Sequence, residues 1–362
     1  MKAAILREVN KPLTIEEVQI DRPGPHEVLI RTGACGVCHS DLHFIEGKYP
    51  CAMPTILGHE AAGTVEAVGE LVEYVQLGDR VITCLSGFCG HCAFCLSGRP
   101  ALCSQAGIRR GATEAPRLSQ DGKLMNQVFS LAAFAEQMLV HEHSLVKVGT
   151  EVSFEQLALI GCGVTTGVGA ALNTAEVLPG STVAVLGCGG VGTAVIQGAR
   201  IAGASRIIAV DGQPLKREQA KKFGATDVVD PANGDPVQQV KDLTQGRGAD
   251  YAFEVVGLPE TMITTYNMAR KGGTVCIVGM ARADAMVTFP AFQLFFEEKR
   301  ILGSKYGTAH VRRDFQRFVD LIETGRLDVS HMVSRKIKLD QVNEAFRAME
   351  AGEVIRSVIM PG

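Results

Sequence analysis

Four cysteines between residues 89 and 103 form the strongest chemical pattern in the chain. Cys89, Cys92, Cys95 and Cys103 read C-x2-C-x2-C-x7-C. Four thiolates so close in sequence can converge on one ion, and a four-cysteine set fills every tetrahedral position of Zn²⁺. Water and substrate then have no place on the metal. The pattern therefore predicts a structural zinc site that holds a loop and takes no part in catalysis.

A second metal site is predicted among the remaining Cys and His residues, but spacing alone does not identify its ligands. The candidate residues are Cys38, His39, His43, His59, Glu60 and Cys162. His39 and His43 are spaced to share one face of a helix. On chemistry alone, any of Cys38, His39, His43 and His59 can bind a metal, so we expect a Cys/His zinc site near residues 38–60. Cys162 lies far along the chain, and short-range spacing cannot place it.

The other cysteines have no partners at metal-binding spacing. They are Cys35, Cys51, Cys84, Cys188 and Cys276. Because a free cysteine usually behaves as a small buried hydrophobic residue, we expect these five to pack in the interior.

A nucleotide-binding pattern lies further along the chain. The residues expected at a pyrophosphate are Gly187, Gly189, Gly190, Val191 and Gly192. The apolar run TVAVL precedes this G-x-G-x-x-G pattern and a helical pattern follows, which would place the pyrophosphate at a helix N-terminus. Asp211 follows the next predicted strand, where its carboxylate can accept hydrogen bonds from both adenosine ribose hydroxyls and repel a 2′-phosphate. The pattern therefore favours NAD over NADP, with Lys216 expected to help hold the ribose.

An alternative interpretation of the same segment is a packing turn in which Asp211 only caps a helix. The order of strand, glycine turn and helix favours the nucleotide site over that alternative.

The elements that would position these groups change in character along the chain. Short runs rich in Val, Gly and Pro, such as VLIRTGACGV and DRVITCL, predict an irregular, mostly β domain over residues 1–160. Apolar strands then alternate with helical patterns, which predicts a doubly wound parallel sheet and an α/β fold class. From about residue 304, VRRDFQRFVDLIETG and LDQVNEAFRAMEAG predict amphipathic helices, and VIRSVIM predicts a last strand.

Composition excludes several functional classes. The chain has 362 residues, enough for two domains, and a net charge of −3 with no Trp, which argues against nucleic-acid or anionic-membrane partners. The N-terminus lacks the apolar core of a signal peptide, and we expect Gly or charge to interrupt every apolar stretch before the roughly 18 residues of a spanning helix. Eleven cysteines without an export signal are typical of metal ligands and free thiols. We expect a cytoplasmic protein.

The sequence resembles the zinc-dependent alcohol dehydrogenases of the medium-chain dehydrogenase/reductase family along essentially its whole length. The resemblance rests on GVCHSDLH, GHEAAGTV, the four-cysteine segment, GCGVTTG, GCGGVG with Asp211, and VIRSVIM. It implies a GroES-like catalytic domain at residues 1–163 and 304–362, with the structural zinc lobe at 89–103, and an NAD-binding Rossmann domain at 164–303. It also implies two zinc ions per chain and reversible oxidation of primary or secondary alcohols to aldehydes or ketones by hydride transfer to NAD.

The resemblance assigns roles around the second metal site. It implies that Cys38, His59 and Cys162 bind the catalytic zinc, with water or a substrate oxygen as fourth ligand. Glu60 would be a transient ligand that approaches the metal during ligand exchange. Asp41 would orient the imidazole of His59 and fix its tautomer.

Further roles follow from the same resemblance. Ser40 and His43 would relay the proton released by the alcohol. His39 would lie near the cofactor pyrophosphate instead of on the metal. Thr166 would approach the nicotinamide, and Arg356 would contact a cofactor phosphate.

Substrate identity stays open at this stage. By register with the family, Tyr49 and Leu85 would line the substrate pocket, and Ser40 is smaller than the Thr of some members, which leaves room for a secondary or bulky alcohol carbon. The expected partners are thus a small alcohol or aldehyde and further copies of the chain, as a homodimer or homotetramer.

Two other functions are compatible with parts of the sequence. One is oxidation of a formaldehyde–thiol adduct, in which Arg109, Arg110 and Arg117 of the long segment 107–137 would meet an anionic thiol cosubstrate; a solvated basic loop is the competing interpretation of that segment. The other is a non-catalytic zinc- and nucleotide-binding protein. The joint presence of the candidate ligands and the relay residues argues against the second.

Overall fold

The strands of the protein are mostly short. The computed structural model describes residues 1–104, 107–111 and 113–362. In chain order its strands are β1 (Lys2–Leu6), β2 (Thr14–Glu17), β3 (Gln19–Ile20), β4 (Glu27–Gly36), β5 (Thr55–Ile56), β6 (Glu60–Val68), β7 (Arg80–Thr83), β8 (Leu118–Gln120), β9 (Lys123–Leu124), β10 (Asn126–Gln127), β11 (Gln137–His141), β12 (Leu145–Val148), β13 (Thr182–Leu186), β14 (Arg206–Val210), β15 (Asp227–Val229), β16 (Ala249–Glu254), β17 (Ala269–Ile277), β18 (Arg300–Gly303), β19 (Val333–Ile337) and β20 (Arg356–Ile359).

The helices lie mainly in the second half of the chain. They are α1 (His39–Ile45), α2 (Ala93–Leu96), α3 (Phe154–Leu159), α4 (Thr165–Gly169), α5 (Gly190–Ile201), α6 (Pro214–Phe223), α7 (Pro236–Leu243), α8 (Pro259–Met268), α9 (Ala291–Phe296), α10 (Val311–Glu323) and α11 (Val342–Glu350). Wider π-helical turns at Ile160–Val164 and Ala170–Thr174 continue α3 and α4. Single 3₁₀ turns connect other elements, at Pro100–Leu102, Val128–Ser130, Glu142–Ser144, Pro231–Asn233, Tyr306–Thr308, Ser330–Met332 and Leu339–Gln341.

The chain forms two compact units. The first comprises Met1–Cys162, His310–Gly325 and Val329–Gly362, and the second comprises Gly163–Ala309 and Arg326–Asp328. The resemblance implied that Gly163 and residues 304–309 and 326–328 belong to the catalytic domain, whereas here they group with the second unit. Their hydrogen bonds show why, because Thr174 bonds to both Ser304 and Thr308, and the Gln197 side chain bonds to the backbone of Asp328.

The first unit is built on a mixed sheet with β4 at its centre. The strand order is β12-β7-β6-β4-β20-β19, and β11 pairs with the first half of β4. The last residue of β4, Gly36, pairs with Glu60 at the start of β6 and with Val358 of β20. Three strands therefore meet where β4 ends, one residue before the segment Val37–Cys38. Smaller sheets, β10-β5-β1-β2 and β3-β8-β9, complete this mostly β unit.

The second unit contains the predicted parallel sheet. Its strand order is β15-β14-β13-β16-β17-β18, and all of its pairs are parallel. The chain runs outward from β13 in one direction and from β16 in the other, which is the doubly wound arrangement. This confirms the predicted α/β fold class. Ligands of such sheets bind beyond the carboxyl ends of the strands where the order reverses, and the Gly-rich turn follows β13 there.

One helix is longer than the sequence led us to expect. Phe154–Thr174 is a continuous helix of 21 residues, long and apolar enough by length and composition alone to cross a membrane, but 78% of its most apolar window is buried inside the protein. The helix continues through its glycines. Gly161 and Gly167 serve close packing against neighbouring backbone and do not end the helix. A Cβ at Gly167 would lie 2.4 Å from the Val191 carbonyl oxygen, and one at Gly161 would lie 3.0 Å from that of Thr83. The burial is that of a core helix.

Candidate metal centres and nucleotide site

The four-cysteine lobe has the geometry of a tetrahedral four-thiolate metal site. The Sγ atom of Cys92 lies 3.6 Å from that of Cys95 and 3.8 Å from that of Cys103, and Cys89 and Cys95 are 3.9 Å apart. A tetrahedron with Zn–S bonds of about 2.3 Å has S···S edges of about 3.8 Å. Backbone N–H groups of Cys89 and Cys92 donate to the sulfurs of Cys103 and Cys89, each at 3.3 Å, which favours thiolates. These distances fit a bound zinc ion.

A second group of metal-ligand atoms lies in the interior of the first unit. The ligand atoms of Cys38, His59 and Cys162 all lie within 4.8 Å of one another, and all three residues are buried. The two sulfur atoms are 3.9 Å apart. The fold thus brings Cys162 to residues that its sequence position could not link to it. Of the six candidates from the sequence, these three meet, and His39, His43 and Glu60 lie outside the group.

The imidazole of His59 is oriented by Asp41. Both side chains are fully buried, and His59 Nδ1 lies 3.1 Å from Asp41 Oδ1, which also accepts a bond of 3.0 Å from the Gly58 N–H. Burial alone would lower the pKa of His59, but the Asp41 charge outweighs it and raises that pKa well above its usual value. Within the described residues, the other ring nitrogen, Nε2, is buried without a hydrogen-bond partner. The Asp41 contact fixes the tautomer with Nδ1–H, so that Nε2, once deprotonated, can offer its lone pair to a metal.

Asp41→Asn is expected to weaken zinc binding at this three-residue site by about 10- to 100-fold, because a neutral amide holds the imidazole less firmly and lowers its basicity. Competition with a chromophoric chelator measures this affinity. The zinc of the four-cysteine lobe in the same molecule is the internal control and should be released as in the unaltered protein. Equal affinity of the two proteins at the three-residue site would contradict the role given to Asp41.

The meeting of β4, β6 and β20 sets Glu60 and Arg356 side by side. Arg356 Nε lies 3.5 Å from Glu60 Oε2, and their side chains are 3% and 0% exposed. A Cβ on Gly36 would come within 2.6 Å of the same carboxylate oxygen, so only glycine leaves room for it. Burial would lower the pKa of Arg356, but Glu60 and Cys38 outweigh it and raise that pKa. In the described part of the chain, Nε and Nη2 of Arg356 have no hydrogen-bond partner.

The relay candidates lie on α1, which begins directly after Cys38. Ser40 Oγ is 3.8 Å from the sulfur of Cys38. The ring of His43 stacks almost parallel on Tyr49, with centroids 5.6 Å apart. Burial, followed by the charge of Lys48, lowers the pKa of His43, so this imidazole is neutral at physiological pH and can accept a proton. His39 is exposed.

Phe129 contacts this site, and Leu85 is the residue that the family register predicts in its pocket. Leu85, predicted to line the pocket, is half-buried against the core of the first unit. Phe129 packs on His59 with ring centroids 5.1 Å apart, although nothing in the sequence had marked it. A lone Phe between Val128 and Ser130 carries no local signal, since its role arises from a turn that brings it to His59.

The Gly-rich turn of the second unit has the shape that a pyrophosphate requires. Gly187 follows β13 with a φ of +94°, a left-handed conformation that favours glycine. A Cβ on Gly192 would lie 1.8 Å from the Gly187 carbonyl oxygen, so the first turn of α5 can pack this closely only with glycine there. Helix α5 begins at Gly190, and its first N–H groups have no partner within the helix, as in any helix. Such a helix end binds anions.

The carboxylate of Asp211 is fixed beside this turn. Its Oδ2 accepts a 2.8 Å hydrogen bond from the Cys188 N–H, and its Oδ1 accepts a 2.8 Å bond from the Gln213 N–H. Asp211 thus supports the chain at the start of α6, as in the alternative interpretation, and also holds a negative charge next to the glycine turn. Lys216 lies half-buried on α6, and Thr166 lies on α4.

Asp211→Asn is expected to weaken NADH binding by about tenfold or more, because a charged acceptor contributes about 1.5–3 kcal/mol per hydrogen bond and a neutral one contributes less. The loss of negative charge should also narrow the preference for NADH over NADPH. Titrations of both cofactors, followed by nucleotide fluorescence, measure the two effects. An unchanged ratio of the two dissociation constants would contradict the role given to Asp211.

The arginines considered for an anionic thiol cosubstrate are mostly engaged in the protein. Arg117 Nε and Arg110 Nη2 each lie 2.6 Å from a carboxylate oxygen of Glu27, and Arg110 also pairs with Asp21. Burial would raise the pKa of Glu27, but Arg110, the Gly24 N–H and Arg117 outweigh it and hold that pKa at about 2. Only Arg109 of the three arginines is exposed.

This ion-pair group makes stability depend on acidic pH. Because the pKa of Glu27 is lower in the folded protein than in the unfolded chain, its stabilising contribution is fully present above about pH 4.5 and is lost as the pH falls toward 2. Urea unfolding at several pH values is expected to show this slope between pH 4.5 and 2, with a smaller slope for Glu27→Gln. Equal slopes for both proteins would contradict it.

Comparison with known proteins is consistent with this geometry. Residues 24–151 match the alcohol dehydrogenase GroES-like domain, and residues 190–324 match the zinc-binding dehydrogenase domain. The chain is 41% identical over 365 residues to S-(hydroxymethyl)glutathione dehydrogenase of Synechocystis sp., covering 99% of both chains. An alcohol dehydrogenase zinc-binding domain protein from Burkholderia ambifaria superposes with a TM-score of 0.95 at 34% identity, covering 100% of this chain and 98% of that one. Benzyl alcohol dehydrogenase from Acinetobacter calcoaceticus superposes with a TM-score of 0.92 at 32% identity, covering 100% and 99%.

Proposed function

Because the chain belongs to the zinc-dependent alcohol dehydrogenases of the medium-chain dehydrogenase/reductase family, we propose that Cys38, His59 and Cys162 hold its catalytic zinc and that NAD is its hydride acceptor. The observation that carries the proposal is the convergence of three buried donors, of which His59 Nε2 has no hydrogen-bond partner among the described residues. Three protein ligands leave one tetrahedral position open. The lobe of Cys89, Cys92, Cys95 and Cys103 is proposed to hold the second, structural zinc.

In the proposed reaction, zinc and NAD would act on the substrate, and residues of the chain would orient the ligands and move the proton. Zinc supplies a Lewis acid toward a substrate oxygen, and NAD accepts the hydride. Asp41 holds the tautomer of His59 through its 3.1 Å contact. Ser40 lies next to the metal ligands and is proposed to take the alcohol proton, and the neutral imidazole of His43 is proposed to pass it to solvent. Glu60 is proposed to exchange with the substrate as a transient ligand.

Several residues are proposed to contact the cofactor. In the second unit, the turn Gly187–Gly192 is proposed to bind the pyrophosphate and Asp211 the ribose. Lys216 and Thr166 are proposed as further contacts. In the first unit, His39 and Arg356 are proposed to contact cofactor phosphates. The buried guanidinium of Arg356 forms an ion pair with Glu60, and its Nη2 has no hydrogen-bond partner among the described residues.

The direct test is a panel of primary, secondary and aromatic alcohols with NAD or NADP, following absorbance of the reduced cofactor. We expect NADH formation from alcohols by the zinc-loaded protein, with much slower use of NADP. Failure to reduce NAD with any alcohol, by protein that contains both zinc ions, would contradict the proposed function.

The substrate pocket is proposed to be shaped by Tyr49, Leu85 and the small Ser40. The variant Ser40→Thr should therefore lower turnover of secondary alcohols more than turnover of primary alcohols.

A second candidate substrate is a formaldehyde–thiol adduct. The relative from Synechocystis sp. carries that activity in its name, whereas two of the three arginines considered for such a substrate are held by Glu27. Comparing kcat/KM for simple alcohols with that for formaldehyde plus glutathione distinguishes the two. If the adduct is the better substrate, Arg109→Ala should raise its KM while the matched surface variant Lys123→Ala should not. The relatives are named as enzymes, so the non-catalytic alternative is not retained.

We also propose that the chain assembles as a homodimer or homotetramer. Met286, Phe292 and Phe295 of the second unit are 86%, 71% and 79% exposed, and Phe292 stacks on Phe296 at 5.4 Å. An apolar surface of this kind marks an interaction site, and β18 is the outermost strand of its sheet. Sedimentation equilibrium should show dimers or tetramers that Phe295→Glu weakens; a monomeric unaltered protein would contradict this. A cytoplasmic location is proposed because none of the eleven cysteines, all of which the structure describes, forms a disulfide.

A further inference from the structure

Phe129 adopts a backbone conformation that bulky residues avoid. Its φ is +53°, and Ser130 and Ala132 nearby have φ values of +60° and +65°. Positive φ is strained for an aromatic residue, and such strain persists only where the surrounding structure imposes it, often at functional sites. Phe129 is only half-buried at the edge of the core. Burial of its ring therefore does not by itself explain why Phe occupies a position that suits glycine.

The ring of Phe129 packs against the imidazole of His59. Their centroids are 5.1 Å apart and their planes are inclined by 66°, which is an edge-to-face contact. The Nδ1 atom of His59 lies 3.1 Å from Asp41 Oδ1, which holds that side of the imidazole. The hydrogen bond at Nδ1 is a single restraint on rotation of the imidazole about its Cβ–Cγ bond. The ring of Phe129 restricts that rotation because it lies directly against the imidazole.

Further aromatic rings extend this contact to the relay histidine. Phe129 meets Phe44 edge-on at 5.7 Å, and Phe44 contacts Tyr49 at 6.1 Å. Tyr49 in turn stacks on His43 at 5.6 Å with an angle of 6° between planes. An unbroken series of ring contacts therefore joins His59, the metal-ligand candidate, to His43, the proton-relay candidate.

We propose that Phe129 is a positioning residue for the metal site. It keeps His59 Nε2 beside the sulfur atoms of Cys38 and Cys162, and through Phe44 and Tyr49 it fixes the imidazole of His43 relative to His59. The strained turn at residues 128–132 serves to deliver this ring. The inference rests on the proposed function, since it takes the three buried donors to be metal ligands.

Metal affinity in the absence of substrate and cofactor tests this inference. We expect Phe129→Leu to weaken Zn²⁺ binding at the three-residue site by about tenfold or more, the effect typical of losing a residue that orients a ligand. Phe129→Tyr retains the ring and should bind Zn²⁺ nearly as the unaltered protein does. With Co²⁺ in place of zinc, the visible absorption bands should change in Phe129→Leu and remain in Phe129→Tyr. Zinc in the four-cysteine lobe is the internal reference.

Phe346→Leu separates positioning from general packing. Phe346 is a buried core residue of α11, 5% exposed, and its truncation should lower stability without changing the metal affinity or the cobalt spectrum. Unchanged Zn²⁺ affinity and cobalt bands in Phe129→Leu would overturn the inference, and so would an equal loss of affinity in Phe346→Leu. Absence of alcohol turnover by the unaltered, zinc-loaded protein would instead overturn the proposed function. It would not affect the comparison of Zn²⁺ affinity between the Phe129 variants and the unaltered protein.

Discussion

His59→Ala is expected to remove one zinc ion per chain and to lower kcat/KM for alcohols at least about a thousandfold. A Lewis acid contributes several kcal/mol of charge stabilisation, and each 1.36 kcal/mol changes the rate tenfold. Among the described residues, His59 supplies one of the three ligand atoms in its group, so two thiolates would remain and would hold zinc weakly. Elemental analysis and steady-state kinetics measure the two effects.

The matched control for this variant is His331→Ala, which alters an exposed histidine in the turn Ser330–Met332. It should retain both zinc ions and its activity. Thermal unfolding of His59→Ala distinguishes loss of the metal from loss of the fold, since the four-cysteine lobe should still hold its zinc. Turnover within tenfold of the unaltered protein in a His59→Ala preparation that has lost this zinc would contradict the assignment.

Cys103→Ala is expected to release the other zinc ion and to lower the melting temperature by roughly 6–12 °C. Metal ligation at both ends of the lobe closes a loop of about 15 residues, and cross-linking a loop of that length stabilises a fold by about 3 kcal/mol. For a folding unit of roughly 150–250 residues, which includes the first unit, 1 kcal/mol corresponds to a shift of about 2–4 °C. Calorimetry measures the shift, and limited proteolysis should show new cleavage within residues 89–103.

Cys51→Ala provides the control for the lobe, because Cys51 is a half-buried cysteine that belongs to neither metal group. It should keep two zinc ions and an unchanged melting temperature. Zinc at the three-residue site should survive in Cys103→Ala, so the remaining folded protein should still oxidise alcohols. A Cys103→Ala protein that binds two zinc ions and melts like the unaltered chain would contradict the structural role of the lobe.

Short-range patterns in the sequence identified the parts of the sites that are built locally. The ligands of the four-cysteine lobe all lie in the short segment 89–103, so their spacing alone predicts that they converge. The glycine turn at Gly187–Gly192 likewise joins one strand to the next helix, and Asp211 follows the neighbouring strand. In both cases, local chain geometry limits where the side chains can go.

Long-range packing decided the rest, and the residues alone could not supply it. Cys162 joins Cys38 and His59 because α3 packs against β4 and β6, where Gly161 permits a close approach. The resemblance to a family, not the spacing, had suggested that ligand set. Arg356 reaches Glu60 only through the pairing of β20 with β4.

Other contacts of the sites had no signal in the sequence at all. Arg110 and Arg117 pair with Glu27, which is far from them in the chain. The sequence therefore could not show that these arginines are engaged inside the protein. The contact of Phe129 with His59 depends on a left-handed backbone that nothing in a Phe predicts. The glycines of the helix Phe154–Thr174 resemble interruptions in the sequence but are close-packing positions in the fold.

The most direct test of the central claim is to remove zinc stepwise with a chelator while counting zinc per folded chain and measuring NADH formation from alcohol in the same samples. The account predicts two zinc ions in the fully active protein, and loss of activity in proportion to the zinc that leaves Cys38, His59 and Cys162. Full activity in folded protein whose only remaining zinc is held by the four-cysteine lobe would contradict it.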